Sequence, residues 1–259
     1  MSIPLHRVVN GPAAAPLLLL GNSLGTDLRT WDGVVEQLAD HFRVVRFDHR
    51  GQGASPVPDG PYDIADLGQD TVALLDELET DAAAYCGVSI GGMVGLWLGA
   101  HAAERVTGLI VVCSSAHPGN PDAWAQRAAT VRAAGSTAPI VDAVAERWLT
   151  EAFAAEHPEV MDELKGMLGA SPPEGYAALC DMLGMLDLRP DLEHVRVPTL
   201  VVGGAQDSAI PPEHGERIAA GVPGASFVLL DPAAHNPMAE RPAAIAALII
   251  ENLGGPHDR

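Results

Sequence analysis

The sequence feature that most constrains the fold is the Gly-x-Ser-x-Gly motif at residues 87–91. A β-like run leads into it, and a helical stretch follows from Met93. A serine in a sharp turn between a strand and a helix is typical of a nucleophile elbow, which exposes the serine oxygen above a sheet. Gly87 and Gly91 would then lie where a Cβ atom collides with neighbouring backbone. The motif predicts a nucleophilic Ser89 only if the rest of the chain supplies its partners.

Short apolar runs alternate with longer amphipathic runs along most of the chain. This alternation predicts an α/β fold, with a mostly parallel sheet and helices on both faces. Apolar residues at helical spacing predict core-facing helices at residues 28–38 and 245–253. The predicted strands are residues 5–9, 16–20, 42–47, 83–88, 107–113, 199–202 and 226–230.

The alternation stops between residues 117 and 189. This stretch is helical in character, without a convincing strand, and is broken at Gly135, Pro158 and residues 171–173. An all-helical insertion between two strands predicts a cap over the C-terminal edge of the sheet, where ligands bind in open α/β folds. The predicted organisation is a core of residues 1–116 and 190–259, with a helical cap of residues 117–189 inserted before the last two strands.

The composition narrows the class of partner. The 259 residues carry a formal net charge of −19, which argues against nucleic acid or an anionic membrane as a partner, because both require a basic surface.

No stretch approaches the length needed to span a bilayer. The apolar run at residues 13–20 is assigned to a strand rather than to a signal peptide. Three cysteines, an odd number, favour a reducing cytoplasm. Whether the chain forms a homo-oligomer is left open.

A serine nucleophile needs a histidine base and an acid that holds the histidine, in the chain order serine, acid, histidine for this fold. Asp207 follows the predicted strand at residues 199–202 and is the preferred acid. His235 follows the last predicted strand and is the preferred base. Asp231 is an alternative acid close to His235, and Asp207 has an alternative role as a helix cap.

The remaining histidines predict neither a metal site nor a cofactor. His41, His101 and His214 are typical of those that fall in helices or loops. None forms a pair with metal-ligand spacing and an accompanying acid. We therefore expect a reaction without metal or cofactor.

Two backbone N–H groups are needed to hold the oxyanion of a tetrahedral intermediate. One is expected from Ile90, the residue after the nucleophile. The other is expected from Leu24, in the loop of residues 21–25 after an early strand. An ordinary Gly/Asn/Ser turn is the alternative reading of this loop.

Several segments resemble the 3-oxoadipate enol-lactonases of the α/β-hydrolase superfamily. The pair Asn22-Ser23, at the predicted oxyanion loop where His-Gly is commoner, is especially suggestive of this family. One position differs, because Asn236 follows His235 where the family pattern has a leucine. The resemblance covers nearly the whole chain and is carried by residues 21–31, 47–55, 86–93, 146–150, 175–180, 186–189 and 233–235.

The resemblance implies an α/β-hydrolase fold and the hydrolysis of 3-oxoadipate enol-lactone to 3-oxoadipate through an acyl-enzyme. The alternatives are an esterase, a lactonase or a cofactor-free perhydrolase that acts on another small ester. A non-catalytic binding protein on the same fold is disfavoured, because all three triad residues are present.

An anionic substrate requires a local cation in a chain of charge −19. The cap offers Arg127, Arg132 and Arg147, and Arg147 is preferred because it lies in a family-like segment. Aromatic side chains of the cap are expected to form the walls of the substrate site. These are Trp124, Trp148 and Tyr176.

Overall fold

The structure is a computed structural model, and it describes residues 2–254. At its centre lies a seven-stranded sheet with the order β1-β3-β2-β4-β5-β6-β7. Strand β1 runs antiparallel to β3, and the other neighbouring pairs are parallel. The strands are β1 (Arg7–Asn10), β2 (Leu17–Gly21), β3 (Arg43–Phe47), β4 (Ala83–Val88), β5 (Val106–Val112), β6 (Thr199–Gly204) and β7 (Ser226–Leu230).

The predicted fold class is confirmed. Each of the seven strands lies where the sequence predicts it, with ends shifted by at most two residues. Strands β2, β4 and β6 are buried along their whole length. Their apolar runs are continuous because parallel strands are covered on both faces.

Alternate side chains of the strands enter two cores on opposite faces of the sheet. Leu18 and Leu20 of β2 pack in the core that contains α1 and α11, whereas Leu17 and Leu19 enter the core that contains α2, α3 and α9. The bounds of the helices outside the cap are α1 (Asp32–Ala39), α2 (Ile64–Glu77), α3 (Ile90–His101), α9 (Glu213–Gly221), α10 (Pro237–Glu240) and α11 (Pro242–Leu253).

Between β5 and β6 the described chain is helical. Helix α4 ends at Gly135, whose φ of +62° is a left-handed conformation that glycine adopts without strain. Pro158 and Pro173 begin α7 and α8, at the first-turn position that proline tolerates. Whether residues 117–189 fold as a domain of their own stays a prediction. The helices are α4 (Pro121–Ala134), α5 (Val141–Ala145), α6 (Glu151–Glu156), α7 (Pro158–Ala170) and α8 (Pro173–Met185).

These five helices and the segments that connect them, which together we call the cap, touch the core through glycine backbone. A Cβ atom added at Gly175 of α8 would lie 2.1 Å from the carbonyl oxygen of Gly51. A Cβ atom at Gly25 would lie 3.0 Å from the ring of Tyr176. Cap and sheet also share one apolar cluster. Across residues 2–254, none of the helices has the length and apolar character to cross a membrane.

Candidate active site

Ser89 lies in the sharp turn between β4 and α3. Its φ of +56° is unusual for a residue with a side chain and is a strained conformation. A Cβ atom at Gly87 would lie 2.3 Å from the carbonyl oxygen of Gly91, and one at Gly91 would lie 2.5 Å from that of Gly21. The two flanking glycines are therefore needed for the turn, as the sequence predicts.

The strained turn is supported by β5 and the segment that follows it. The Ser89 N–H donates to the carbonyl of Val112 at 2.9 Å. The Ser114 hydroxyl donates to the Ser89 carbonyl at 2.6 Å. Sequence reasoning missed Ser114, because no local pattern shows that its partner lies 25 residues away.

His235 and Asp207 form a buried hydrogen-bonded pair. His235 Nδ1 lies 2.7 Å from Asp207 Oδ2. The other carboxylate oxygen accepts the N–H groups of Ala209 and Ile210, each at 2.8 Å. These three contacts fix the carboxylate and leave His235 Nε2 as the free ring nitrogen. Asp231, the alternative acid, lies exposed at the surface.

The loop that carries His235 is bound to both the core and the cap. The Glu240 carboxylate accepts the Ala234 N–H at 2.6 Å and the Thr150 N–H at 2.7 Å. The Asn236 N–H donates to the Trp148 carbonyl at 2.8 Å. Trp148 also shares a narrow space with His235 and Val88, the residue before Ser89. His235 thus lies at the C-terminal edge of the sheet near the residue that precedes Ser89, and its contact with the Ser89 hydroxyl stays a prediction.

The predicted oxyanion loop lies against the start of α3. Gly91 faces the backbone of Gly21 and Asn22 closely enough that a Cβ atom there would collide with both. As the first residue of α3, Ile90 has an N–H with no carbonyl to bond within the helix. Among the described residues, the N–H of Leu24 likewise has no hydrogen-bond acceptor. Two unbonded donors are thus held by adjoining segments.

Gln52 supports this loop and was not assigned a role from the sequence. Its side-chain oxygen accepts the Gly25 N–H at 2.6 Å, and the side chain is buried. Gly51 and Gly53 on either side have φ values of +76° and +52°. The only sequence signal was a glutamine between two glycines, which does not reveal its partner.

Cys113, Asp207 and His235 lie close enough together to be considered as metal ligands, with one atom of each within 4.8 Å of the others. All three side chains already form hydrogen bonds within the protein. The Cys113 thiol donates to the Ala234 carbonyl, and burial together with the charge of Asp207 raises its pKa well above the usual value. The hydrogen-bonded acid and histidine account for the other two.

Arg147 is half-buried close to this site. Burial, followed by the positive charge of Arg127, lowers its pKa, whereas Tyr176 and then the negative charge of Asp207 act on that pKa in the opposite direction. Within residues 2–254, neither Arg127 nor Arg147 forms an ion pair. Two neighbouring cations without carboxylate partners are unusual in a chain of net charge −19.

Arg127 lies near both Tyr176 and Trp124. The buried Tyr176 hydroxyl has no hydrogen bond of ordinary geometry in the described chain, and burial raises its pKa although Arg127 acts in the opposite direction. The Arg127 guanidinium lies 4.8 Å from the centre of the Trp124 ring. Trp124 itself packs against α8 at Gly184 and, unlike Trp148 and Tyr176, is only partly buried.

Arg132, the third candidate cation, is already paired. Its guanidinium lies 2.7 Å from a Glu174 oxygen and 2.7 Å from an Asp181 oxygen at the cap surface. The structure thus separates three arginines that the sequence could not distinguish by their surroundings.

The geometry agrees with that of known proteins. Residues 16–242 match the family model of the alpha/beta hydrolase fold. The 3-oxoadipate enol-lactonase 2 of Acinetobacter baylyi is 38% identical over 242 residues, which are 93% of this chain and 90% of that protein. The crystal structure of the enol-lactonase from Burkholderia xenovorans LB400 is 37% identical, with a TM-score of 0.93 and 96% of each chain covered.

Similarity extends to a relative with a different activity in its name. A protein of Variovorax paradoxus, provisionally named carbamate hydrolase RutD, is 32% identical over 248 residues, which are 90% of each chain. The comparisons therefore agree on a hydrolase of this fold and differ on the bond that is hydrolysed.

Proposed function

Because the chain belongs to the 3-oxoadipate enol-lactonase family of the α/β-hydrolase superfamily and is a carboxylic ester hydrolase, we propose that it opens a small enol-lactone that carries a carboxylate, 3-oxoadipate enol-lactone. The product would be 3-oxoadipate. Two relatives that bear the enol-lactonase name support this substrate. The location we propose is the cytoplasm, in keeping with three buried cysteines that are all free thiols.

The proposed reaction runs through an acyl-enzyme. Ser89 Oγ adds to the lactone carbonyl carbon while His235 takes the hydroxyl proton, and the N–H groups of Leu24 and Ile90 hold the oxyanion. The ring C–O bond then breaks, and His235 returns the proton to the departing enolate, which becomes a ketone. Water, deprotonated by His235, cleaves the acyl ester and restores Ser89. Asp207 holds the histidine throughout.

The observation that carries the substrate proposal is the unpaired cation pair Arg127 and Arg147 beside the triad. Like charges repel each other, and the repulsion contributes to the lowered pKa of Arg147. A substrate carboxylate between them would supply the missing counter-charge. Trp148, Tyr176 and Trp124 would form the walls. A neutral ester would leave both cations uncompensated, so the site favours an anionic substrate.

A second candidate is hydrolysis of another small acyl bond, in an ester, a lactone or a carbamate, or perhydrolysis by the same serine. The relative named after carbamate hydrolysis is the observation that favours it. The same triad would act, and only the contacts of the cap with the substrate would differ. A non-catalytic binding protein remains disfavoured, because Ser89, His235 and Asp207 are all present.

The test is a comparison of turnover on the enol-lactone with turnover on neutral lactones, an aryl acetate and a small carbamate. We expect kcat/KM to be highest for the enol-lactone. Ser89→Ala should abolish turnover of every substrate while leaving the unfolding temperature within a few degrees. Turnover that persists in this variant would refute the serine mechanism. A carbamate or a neutral ester that is turned over faster would favour the second candidate.

A further inference from the structure

A cavity outside the proposed active site lies at the C-terminal edge of the sheet, between the segment after β5, the turn before β6 and helix α9. Its volume is about 460 Å³, within the range of small-molecule pockets. None of its lining residues belongs to the triad, the oxyanion loop or the cluster around Arg147. The polar and charged residues that line it are Ser115, His117, Arg189, His214 and Arg217, and Ala116 and Leu192 supply the apolar surface.

The charge of this lining is opposite to that of the protein. Acidic residues number 34 and basic residues 15 in the whole chain, yet both charged residues that line the cavity are arginines. Arg217 is exposed on α9 and has no ion pair in the described range. Arg189 is bound through Nε and Nη2 to Asp187, at 2.8 and 2.6 Å, which leaves Nη1 free. The cavity is therefore a local cationic site on an acidic protein.

The two histidines are oriented by Ser115 and by the backbone. His117 Nδ1 lies 2.9 Å from the Leu186 carbonyl, which can only accept, so this nitrogen carries the proton. The Ser115 hydroxyl accepts the His117 N–H at 3.0 Å and lies 2.8 Å from His214 Nδ1. When the hydroxyl donates to that nitrogen, neutral His214 presents its Nε2–H as a further donor.

The charges that face His214 come from several elements. Burial lowers its pKa most, Arg217 is the largest charge effect in the same direction, and His117 adds to it. The carboxylates of Glu213 and Asp207 act in the opposite direction. Arg217 is thus the largest single charge effect on His214, and an anion that entered the cavity would meet this cation.

We propose that this cavity binds a small dicarboxylate, at a site separate from the active site. Arg189 and Arg217 approach from different walls. Arg217 can offer its whole guanidinium fork to one carboxylate, and Arg189 can offer its free Nη1 to the other. Leu192 and Ala116 offer apolar surface to the carbon chain between the two carboxylates. A monocarboxylate would engage one arginine only, and a compact phosphate would not span both walls.

Calorimetric titration with succinate tests the site. The titrations use the full chain with Arg147→Met, so that carboxylate binding at the active site is weakened. One succinate should bind per chain, and Arg217→Gln or Arg189→Gln should weaken binding about tenfold or more. Arg105→Gln, at the opposite edge of the sheet, is the matched control and should not. Equal affinity in the Arg217 and Arg105 variants would overturn the proposal, as would equal affinity for acetate or inorganic phosphate.

A second measurement separates binding here from a general effect of charge. Succinate should raise the pKa of His214 in an NMR titration of the imidazole protons, because a nearby anion favours the protonated ring. The shift should vanish in Arg217→Gln, while turnover of an aryl acetate by that variant stays unchanged. A His214 titration that succinate does not move, at a concentration that saturates the calorimetric signal, would also refute the site.

Discussion

Replacing Arg147 with methionine should separate substrate recognition from catalysis. Methionine keeps a long apolar side chain, so the half-buried packing of Arg147 is largely retained while the charge is lost. We expect kcat/KM for the enol-lactone to fall and kcat/KM for a neutral aryl acetate to change little. Removing one of two neighbouring cations also relieves their repulsion, so the unfolding temperature should not decrease.

The expected size follows from the pairing of Arg147. The guanidinium has no counter-ion within the described chain, so a bound carboxylate would be its first charged partner. A hydrogen bond to a charged group contributes about 1.5–3 kcal/mol. Since about 1.4 kcal/mol corresponds to a factor of ten, the loss should be roughly 10- to 150-fold. Arg127 remains beside the site in this variant and still attracts the carboxylate, so the loss of kcat/KM should not exceed the upper end of this range.

The assay is steady-state turnover of both substrates by the wild type, Arg147→Met and Arg132→Met. Arg132 is the matched control, because it belongs to the same cap but is already paired with Glu174 and Asp181. Substituting Arg132 should change kcat/KM by no more than about twofold for either substrate, as expected of a surface ion pair. An equal loss on both substrates with Arg147→Met, or an equal loss with Arg132→Met, would refute a role for Arg147 in binding the carboxylate.

Three further predictions concern other parts of the chain. Gln52→Leu removes the acceptor of the Gly25 N–H and should lower kcat about tenfold on anionic and neutral substrates alike, with KM unchanged; a loss confined to anionic substrates would contradict this. Burial lowers the pKa of His49 to about 3 in the folded chain, whereas the unfolded chain keeps a pKa of about 6.5. The free energy of unfolding should therefore fall by up to about 1.4 kcal/mol for each pH unit below about 6.5. In urea unfolding at pH 7 and pH 5, His49→Leu should lose less stability than the wild type, and an equal loss would contradict this. Burial raises the pKa of Cys180 to about 12 and that of Cys86 still further, so a thiol reagent should react with no cysteine until urea unfolds the chain.

The strands and the residues of the predicted triad could be found from the sequence because their signals are local. A continuous apolar run indicates a parallel strand wherever it occurs. The Gly-x-Ser-x-Gly motif requires only the five residues around Ser89, and Asp207 and His235 each follow a predicted strand. Chain order then selects the partners. Local patterns of this kind need no knowledge of which segments meet in space.

The supporting residues could not be found in this way, because their partners are distant in the chain. The Glu240 carboxylate bonds the N–H of Thr150, which is 90 residues away. Gln52 lies 27 residues from Gly25. The same reason explains why the sequence could not show that Arg132 is already paired, since the carboxylates that neutralise Arg132 come from another helix. Pairing over such distances is fixed by the packing of the cap on the core, and no single segment records it.

The position of Arg147 relative to Ser89 follows from how the cap meets the core. A Cβ atom at Gly51 would lie 2.9 Å from the Gly175 Cα atom, so the two backbones are already in contact, and any side chain at either position would separate them. Close to this contact, Tyr176 packs against Gly25, whose N–H is held by Gln52. The predicted oxyanion loop and the cap therefore meet at one closely packed junction. Because Glu240 also joins the His235 loop to the cap, the fold itself sets the distance between the cations and the nucleophile.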